Sequence, residues 1–232
     1  MRNELAVRPV STLGVDSRAA FINKVYLHLF GAIAVLVGIE AFIFNNGYAE
    51  PIARTLLNLP GGWMLVLGGF MLVGWLASHV SHTARSLPAQ YAAFAGLILA
   101  NAIILVPMLY VAFQKAPDVP QNAVMVTLIA FAGLTAVAFV TRKDFSFLRG
   151  ILFWGFILAI VGIGASLLFG FSLGIWFTVA MLGFAGAAIL YDTSNVLHHY
   201  PESQYVGASL QLFSSVALLF WYVLRFFMHS SD

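Results

Sequence analysis

Seven long apolar runs constrain this chain more than any other feature, at about residues 21–44, 62–78, 89–113, 124–140, 147–168, 171–197 and 205–227. Each is near the ~20 residues that an α-helix needs to cross a bilayer. Hydrocarbon offers no partner for backbone N–H and C=O groups, so a run of this kind satisfies them internally as a helix. The expected fold is therefore an all-α integral membrane protein of seven transmembrane helices, residues 21–232, preceded by a polar cytoplasmic tail, residues 1–20. The break between the fifth and sixth runs, Phe169-Gly170-Phe171-Ser172-Leu173-Gly174, carries no charge. It leaves one long hairpin or a re-entrant pair open as alternatives.

Composition narrows the function classes. Only 9% of the residues are charged and 61% are hydrophobic, against roughly 25% charged in soluble domains. The net charge is +2 and the basic residues are dispersed, which gives no footprint for nucleic acid. The chain has no cysteine, so disulfides, thiolate metal sites and thiol nucleophiles are excluded. A signal peptide does not fit, because the first run is long enough to span and ends in Asn45-Asn46-Gly47. Alternating the loops puts Arg2, Arg8, Arg18, Lys24, Arg85, Arg142, Lys143 and Arg149 on one side and Arg54, Lys115 and Arg225 on the other. That imbalance predicts a cytoplasmic N-terminus and, after seven spans, a C-terminus on the outer face.

Polar residues inside the apolar runs are the candidates for function. Asp192 follows the uncharged stretch from Phe171 to Tyr191, where an unpaired charge costs several kcal/mol and the helix dipole at a C-terminal end disfavours an anion. Asn195 and His199 fall on nearly the same helical face and would form a hydrogen-bonded cluster with it. In the last run Gln204, Gln211, Ser215, Tyr222 and Arg225 fall within roughly one 80° arc, interrupted by Ala208 and Leu218. A polar stripe of this kind belongs inside a bundle, near Asp192. Glu40 lies about one turn inside the outer end of the first run, as an interfacial carboxylate paired with Arg54 or water. Asn101, mid-way along the third run, reads as inter-helix glue before it reads as a ligand. Pro107 is expected to kink that helix, and Lys24 and His28 to snorkel to the cytoplasmic interface. His79, His82, His198 and His199 gather on the cytoplasmic side, where their charge would change near neutral pH and form a pH-sensing gate.

Two stretches then carry a family resemblance: Thr141-Arg142-Lys143-Asp144-Phe145-Ser146-Phe147-Leu148-Arg149-Gly150 entering the fifth run, and Ala188-Ile189-Leu190-Tyr191-Asp192-Thr193-Ser194-Asn195 ending the sixth. Together with the seven-span layout from Phe21 onward they resemble the Bax inhibitor superfamily, and most closely its bacterial YccA-like branch. The resemblance implies six helices surrounding a central seventh. It also implies two functions. Some members are pH-sensitive calcium leaks gated by a pair of aspartates, one in the sixth helix and one in the seventh; Asp192 matches the first, and the second position falls on Ser215. YccA-like members resemble modulators of the membrane-anchored ATP-dependent protease FtsH, acting as slowly processed substrates in the bacterial inner membrane.

The expectation is therefore an inner-membrane modulator of FtsH whose partners are that protease and the lipid bilayer, its tail serving as the gripped segment. The alternative is a calcium or proton path through Asp192, Ser215, Gln211, Asn195 and His199, with Asn101 or Glu40 further along. No cofactor is expected beyond calcium as a transported ion. The chain is not expected to be an enzyme: no HExxH or P-loop pattern occurs, and Glu40, the other intramembrane carboxylate, is expected at the opposite face from Asp192. A retinal pump is disfavoured because the last run offers Arg225 but no lysine for a Schiff base.

Overall fold

The computed structural model describes residues 9–59, 76, 79, 83, 86–171 and 173–230. The first eight residues and the second expected span, 62–78 apart from Leu76, lie outside the described residues. Within them the protein is helical: α1 (Val15–Asn45), α2 (Ala49–Asn58), α3 (Leu87–Lys115), α4 (Val119–Thr141), α5 (Leu148–Phe169), α6 (Ile175–His198) and α7 (Tyr205–Ser230). Among the described residues six helices, all but the ten-residue α2, are long and apolar enough to cross a membrane. The protein is a multi-pass membrane protein.

The helices outrun the apolar stretches at most ends because polar turns continue the backbone ladder past the hydrocarbon. Their stops are local chemistry. Proline sits in the first turn of α3 and of α4, where its missing N–H costs nothing. The chain leaves α1 through Gly47 at φ 74° and leaves α5 through Gly170 at φ 71°, left-handed positions that favour glycine. Gly170 is what separates α5 from α6, and it resolves the uncharged divider into two distinct helices. Pro107 lies buried within the continuous α3. α2 has the opposite character to its neighbours: Glu50, Arg54 and Thr55 face out while Ala49 and Ala53 are buried against Val106, Ile43 and Phe44.

The core lies along α7, which packs against α6, α1, α4 and α3. Over the most hydrophobic window of each helix, 56% of the residues are buried in α3 and in the α7 segment, against 6% in α5. Among the described residues α5 therefore turns most of its circumference outward and packs mainly on α6, with Ala159 reaching the cluster of Met181 and Tyr222. The two approach closely at Gly155, where an added Cβ would stand 2.9 Å from the Phe184 ring. Gly186 is less demanding, since its Cβ would meet Leu134 at an ordinary 3.6 Å. Phe213, on α7, is 1% exposed and meets Phe94 of α3 edge-on at 5.8 Å.

The segment before α1 is not a free tail where it is described. α1 begins at Val15, and Val10 is wholly buried in the main core. The Val10 N–H donates to the Tyr200 carbonyl at 2.9 Å, Ser11 Oγ donates to the His198 carbonyl at 2.9 Å, and Arg18 donates to the Leu197 carbonyl at 3.0 Å. Residues 9–18 thus lie across the turn between α6 and α7 and satisfy carbonyls that the end of α6 leaves open.

Candidate functional site

Asp192 stands in the penultimate turns of α6, with Thr193 and Ser194 beside it, and all three are buried. α7 brings Ser215 opposite. Ser215 Oγ donates to Asp192 Oδ2 at 2.5 Å, with the two residues 7% and 3% exposed. That separation falls in the 2.5–2.7 Å class of hydroxyl-to-carboxylate bonds, which are charge-assisted and about twice as strong as neutral ones. Among the described residues no basic side chain forms an ion pair with Asp192. Arg142, a candidate by position, is exposed at the end of α4.

The other residues of the expected cluster separate. His199 turns away from Asp192 and places Nε2 3.3 Å from Asp144 Oδ2 in the loop between α4 and α5. The reason is the end of the helix: α6 stops at His198, so the i+7 spacing that would carry His199 round to Asp192 no longer applies. Asn195 is half-buried, and its backbone carbonyl accepts from the N–H groups of His199 and Tyr200. None of the hydrogen bonds among the described residues joins it to Asp192. Gln211 is half-buried one turn before Ser215. Asn101 is buried, and its Nδ2 donates to the Leu97 carbonyl of its own helix at 2.9 Å.

Of the four histidines expected to sense pH, His198 and His199 are neighbours at the end of α6. His198 is half-buried, with its Nε2 unpartnered among the described residues and its ring 6.2 Å from that of His199. His79 is exposed and His82 lies outside the described residues. His28 does not snorkel freely, because its Nε2 sits 2.7 Å from the Tyr91 hydroxyl of α3. Lys24 lies 5.6 Å over the Tyr205 ring. Glu40 is not paired with Arg54, which bonds Glu50 at 2.6 Å instead. Both Glu40 oxygens are buried without a partner among the described residues.

Several site residues escaped the sequence reading. Ser194 Oγ accepts from the Phe145 N–H at 2.9 Å and holds the α4–α5 loop against α6. Within that loop Asp144 Oδ1 accepts from the Ser146 N–H at 2.9 Å. Slight burial pushes the Asp144 carboxyl up, but the Ser146 hydrogen bonds together with His199 and His198 outweigh it and hold the group below its usual range. Burial, followed by the nearby Asp192 and Tyr191, pushes the Tyr200 phenol far up, so it stays neutral at physiological pH. Ser209 Oγ lies 3.0 Å from the Val25 carbonyl and 2.7 Å from its own Tyr205 carbonyl, which ties α7 to α1. The signal for Ser194 was present, two residues after Asp192 in a turn rich in short polar side chains. Nothing in the sequence pointed to the partners of Val10, Ser11 and Arg18.

The arrangement is thus a buried carboxylate bonded by a serine of α7, with residues 9–18 docked on the turn that follows its helix. Among the described residues no group of three or more metal-ligating side chains occurs.

Comparison with known proteins agrees with this layout. The family model described as "Inhibitor of apoptosis-promoting Bax1" matches residues 18–232. A Pseudomonas aeruginosa protein is 31% identical over 89% of both chains. "Modulator of FtsH protease YccA" of Escherichia coli is 29% identical over 72% of this chain and 76% of its own. "Bax inhibitor 1" of Schizosaccharomyces pombe is 30% identical over 94% of this chain and 79% of its own. With the match running from the start of α1 through α7, the chain belongs to the Bax inhibitor family.

Proposed function

We propose that the protein is an inner-membrane modulator that binds and restrains an FtsH-type membrane-anchored protease, occupying it as a slowly processed substrate. The observation that carries this choice over a pH-gated calcium leak is the 2.5 Å bond from Ser215 to Asp192. A switch made of two carboxylates opens because like charges cannot both ionise at close range. A serine facing Asp192 donates a hydrogen bond to it instead, so ionisation tightens the α6–α7 contact rather than forcing it apart. The E. coli relative is named as a modulator of FtsH, which makes protease restraint the natural function for a latched bundle. On this reading α7 is the central helix of seven, the N-terminus faces the cytoplasm and the C-terminus faces the periplasm.

Cross-linking in native membranes followed by purification tests the association, and the half-life of an established FtsH substrate tests its consequence. Overproducing the protein is expected to capture the protease and to lengthen that half-life. An unchanged half-life with no captured protease would refute the proposal. Removing residues 2–18 separates the mechanism: if association and turnover are both untouched, the protease does not grip that segment.

The leak remains a second reading because Asp192 is a carboxylate at membrane depth, and such groups mark ion paths. Its test is calcium flux into liposomes, which the first reading expects to be absent.

A further inference from the structure

α1 and α4 both pack on α7, and between them they leave a crevice walled by Phe213 to Phe220 along α7 and by Ile33 to Asn45 along α1. A cavity of about 530 Å³ lies there, with α3 and α4 contributing the rest of its walls. That volume is in the ~300–1,000 Å³ range of small-molecule sites. Its lining is almost wholly apolar, and four phenylalanines, Phe44, Phe113, Phe213 and Phe220, contribute to it. Two buried groups break the pattern. Among the described residues Glu40 lines the cavity with both carboxylate oxygens buried and unpartnered, and Thr127, only 3% exposed, lines it with an unpartnered hydroxyl.

An ionised carboxylate in an apolar, aromatic-walled chamber is costly alone: it takes up a proton or it is paired with a cation. We infer that this crevice binds a hydrophobic ammonium ion, with Glu40 as its counter-charge and the phenylalanine rings around its alkyl groups. Aromatic faces attract quaternary ammonium through the ring quadrupole, and the apolar walls match alkyl substituents.

Other occupants fit less well. Calcium takes about six to eight oxygens, whereas the buried oxygens of this lining are those of Glu40 and Thr127, with Asn45 and Gln121 exposed at its rim. A neutral acyl chain would leave Glu40 uncompensated. The ammonium of a phospholipid headgroup would bring its phosphate with it, and the lining has no lysine or arginine to receive one. Access is from the membrane: Val37, Val124 and Leu128 line the cavity and are exposed on the outer surface of the bundle. Glu40 lies five residues before the end of α1 at Asn45, roughly 7–8 Å in depth at 1.5 Å per residue. A membrane-partitioned amphiphilic cation reaches that depth without crossing the bilayer centre.

The test is equilibrium dialysis of radiolabelled tetrapentylammonium against the full chain in an uncharged maltoside detergent. Wild type is expected to bind saturably at one ion per chain. Glu40→Gln is expected to weaken binding at least tenfold. Val124→Trp, which fills the crevice and leaves the carboxylate, is expected to do the same, and this arm decides the matter should Glu40→Gln not fold. Glu50→Gln, on the exposed face of α2, is expected to bind as wild type. Each of four results would overturn the inference: no saturable binding, undiminished binding in folded Glu40→Gln, displacement by millimolar calcium, or displacement by phosphatidylethanolamine.

Discussion

Removing the Ser215 hydroxyl probes the Asp192 site directly. Both residues are nearly fully buried and their oxygens are 2.5 Å apart, so water does not replace the lost donor. A hydrogen bond to a charged acceptor contributes about 1.5–3 kcal/mol, and a neutral one about 1. Ser215→Ala is therefore expected to destabilise the protein by about 2 kcal/mol, close to a 30-fold change in the folded-to-unfolded ratio. Asp192→Asn keeps an acceptor for Ser215 and removes the buried charge, so its own cost is expected to be small. In the Asp192→Asn background the serine deletion should cost about 1 kcal/mol, leaving a coupling of about 1 kcal/mol between the sites. Reversible unfolding in mixed micelles, followed by circular dichroism on the four proteins of this cycle, measures each figure. An equal cost of Ser215→Ala in both backgrounds, or no cost in either, would show that the bond does not hold the carboxylate.

Four further outcomes are expected. Phe213→Ala removes a fully buried ring from the heart of α7 and should cost about 3–5 kcal/mol in the same unfolding assay. Arg142 ends α4 at φ 50°, a left-handed conformation costing a side-chain-bearing residue about 1–2 kcal/mol, so Arg142→Gly should raise stability by about 1 kcal/mol. Ser194→Ala strips the acceptor from the Phe145 N–H; hydrogen exchange at that amide should quicken, about fivefold for ~1 kcal/mol lost. Asp144 has a folded-state pKa below its unfolded one, so its contribution is complete above the unfolded value of about 3.9 and fades as pH falls through the folded pKa. The part of the stability difference between wild type and Asp144→Asn that comes from the Ser146 hydrogen bonds should thus shrink as pH falls below about 4.

The sequence revealed what depends on composition along a segment and concealed what depends on chain partners far away. Five of the expected spans coincide with helices to within a few residues because about twenty apolar residues have few other ways to satisfy their backbone in lipid. The break at Gly170 was legible as a uniform glycine-bearing gap, and its positive φ is the reason the chain turns there. The meeting of Asp192 with Ser215 followed from the polar stripe, since a buried acid and a buried polar face leave each other as partners. α2 was missed because ten amphipathic residues do not register when the pattern sought is a full span. His199 was misassigned because helical spacing was extended past the end of α6. The docking of residues 9–18 had no local signal: Val10 is buried by a turn some 190 residues later, and polar neighbours such as Ser11 and Arg18 read equally well as solvated.

Calcium flux into liposomes holding the purified protein, stepped from pH 6 to pH 8, tests the central claim that a serine-latched carboxylate keeps this bundle closed. The account predicts no leak above protein-free liposomes at either pH, for wild type and for Asp192→Asn alike. A leak in wild type that changes between the two pH values and is altered by Asp192→Asn would contradict it, and would make Asp192 a gate by itself.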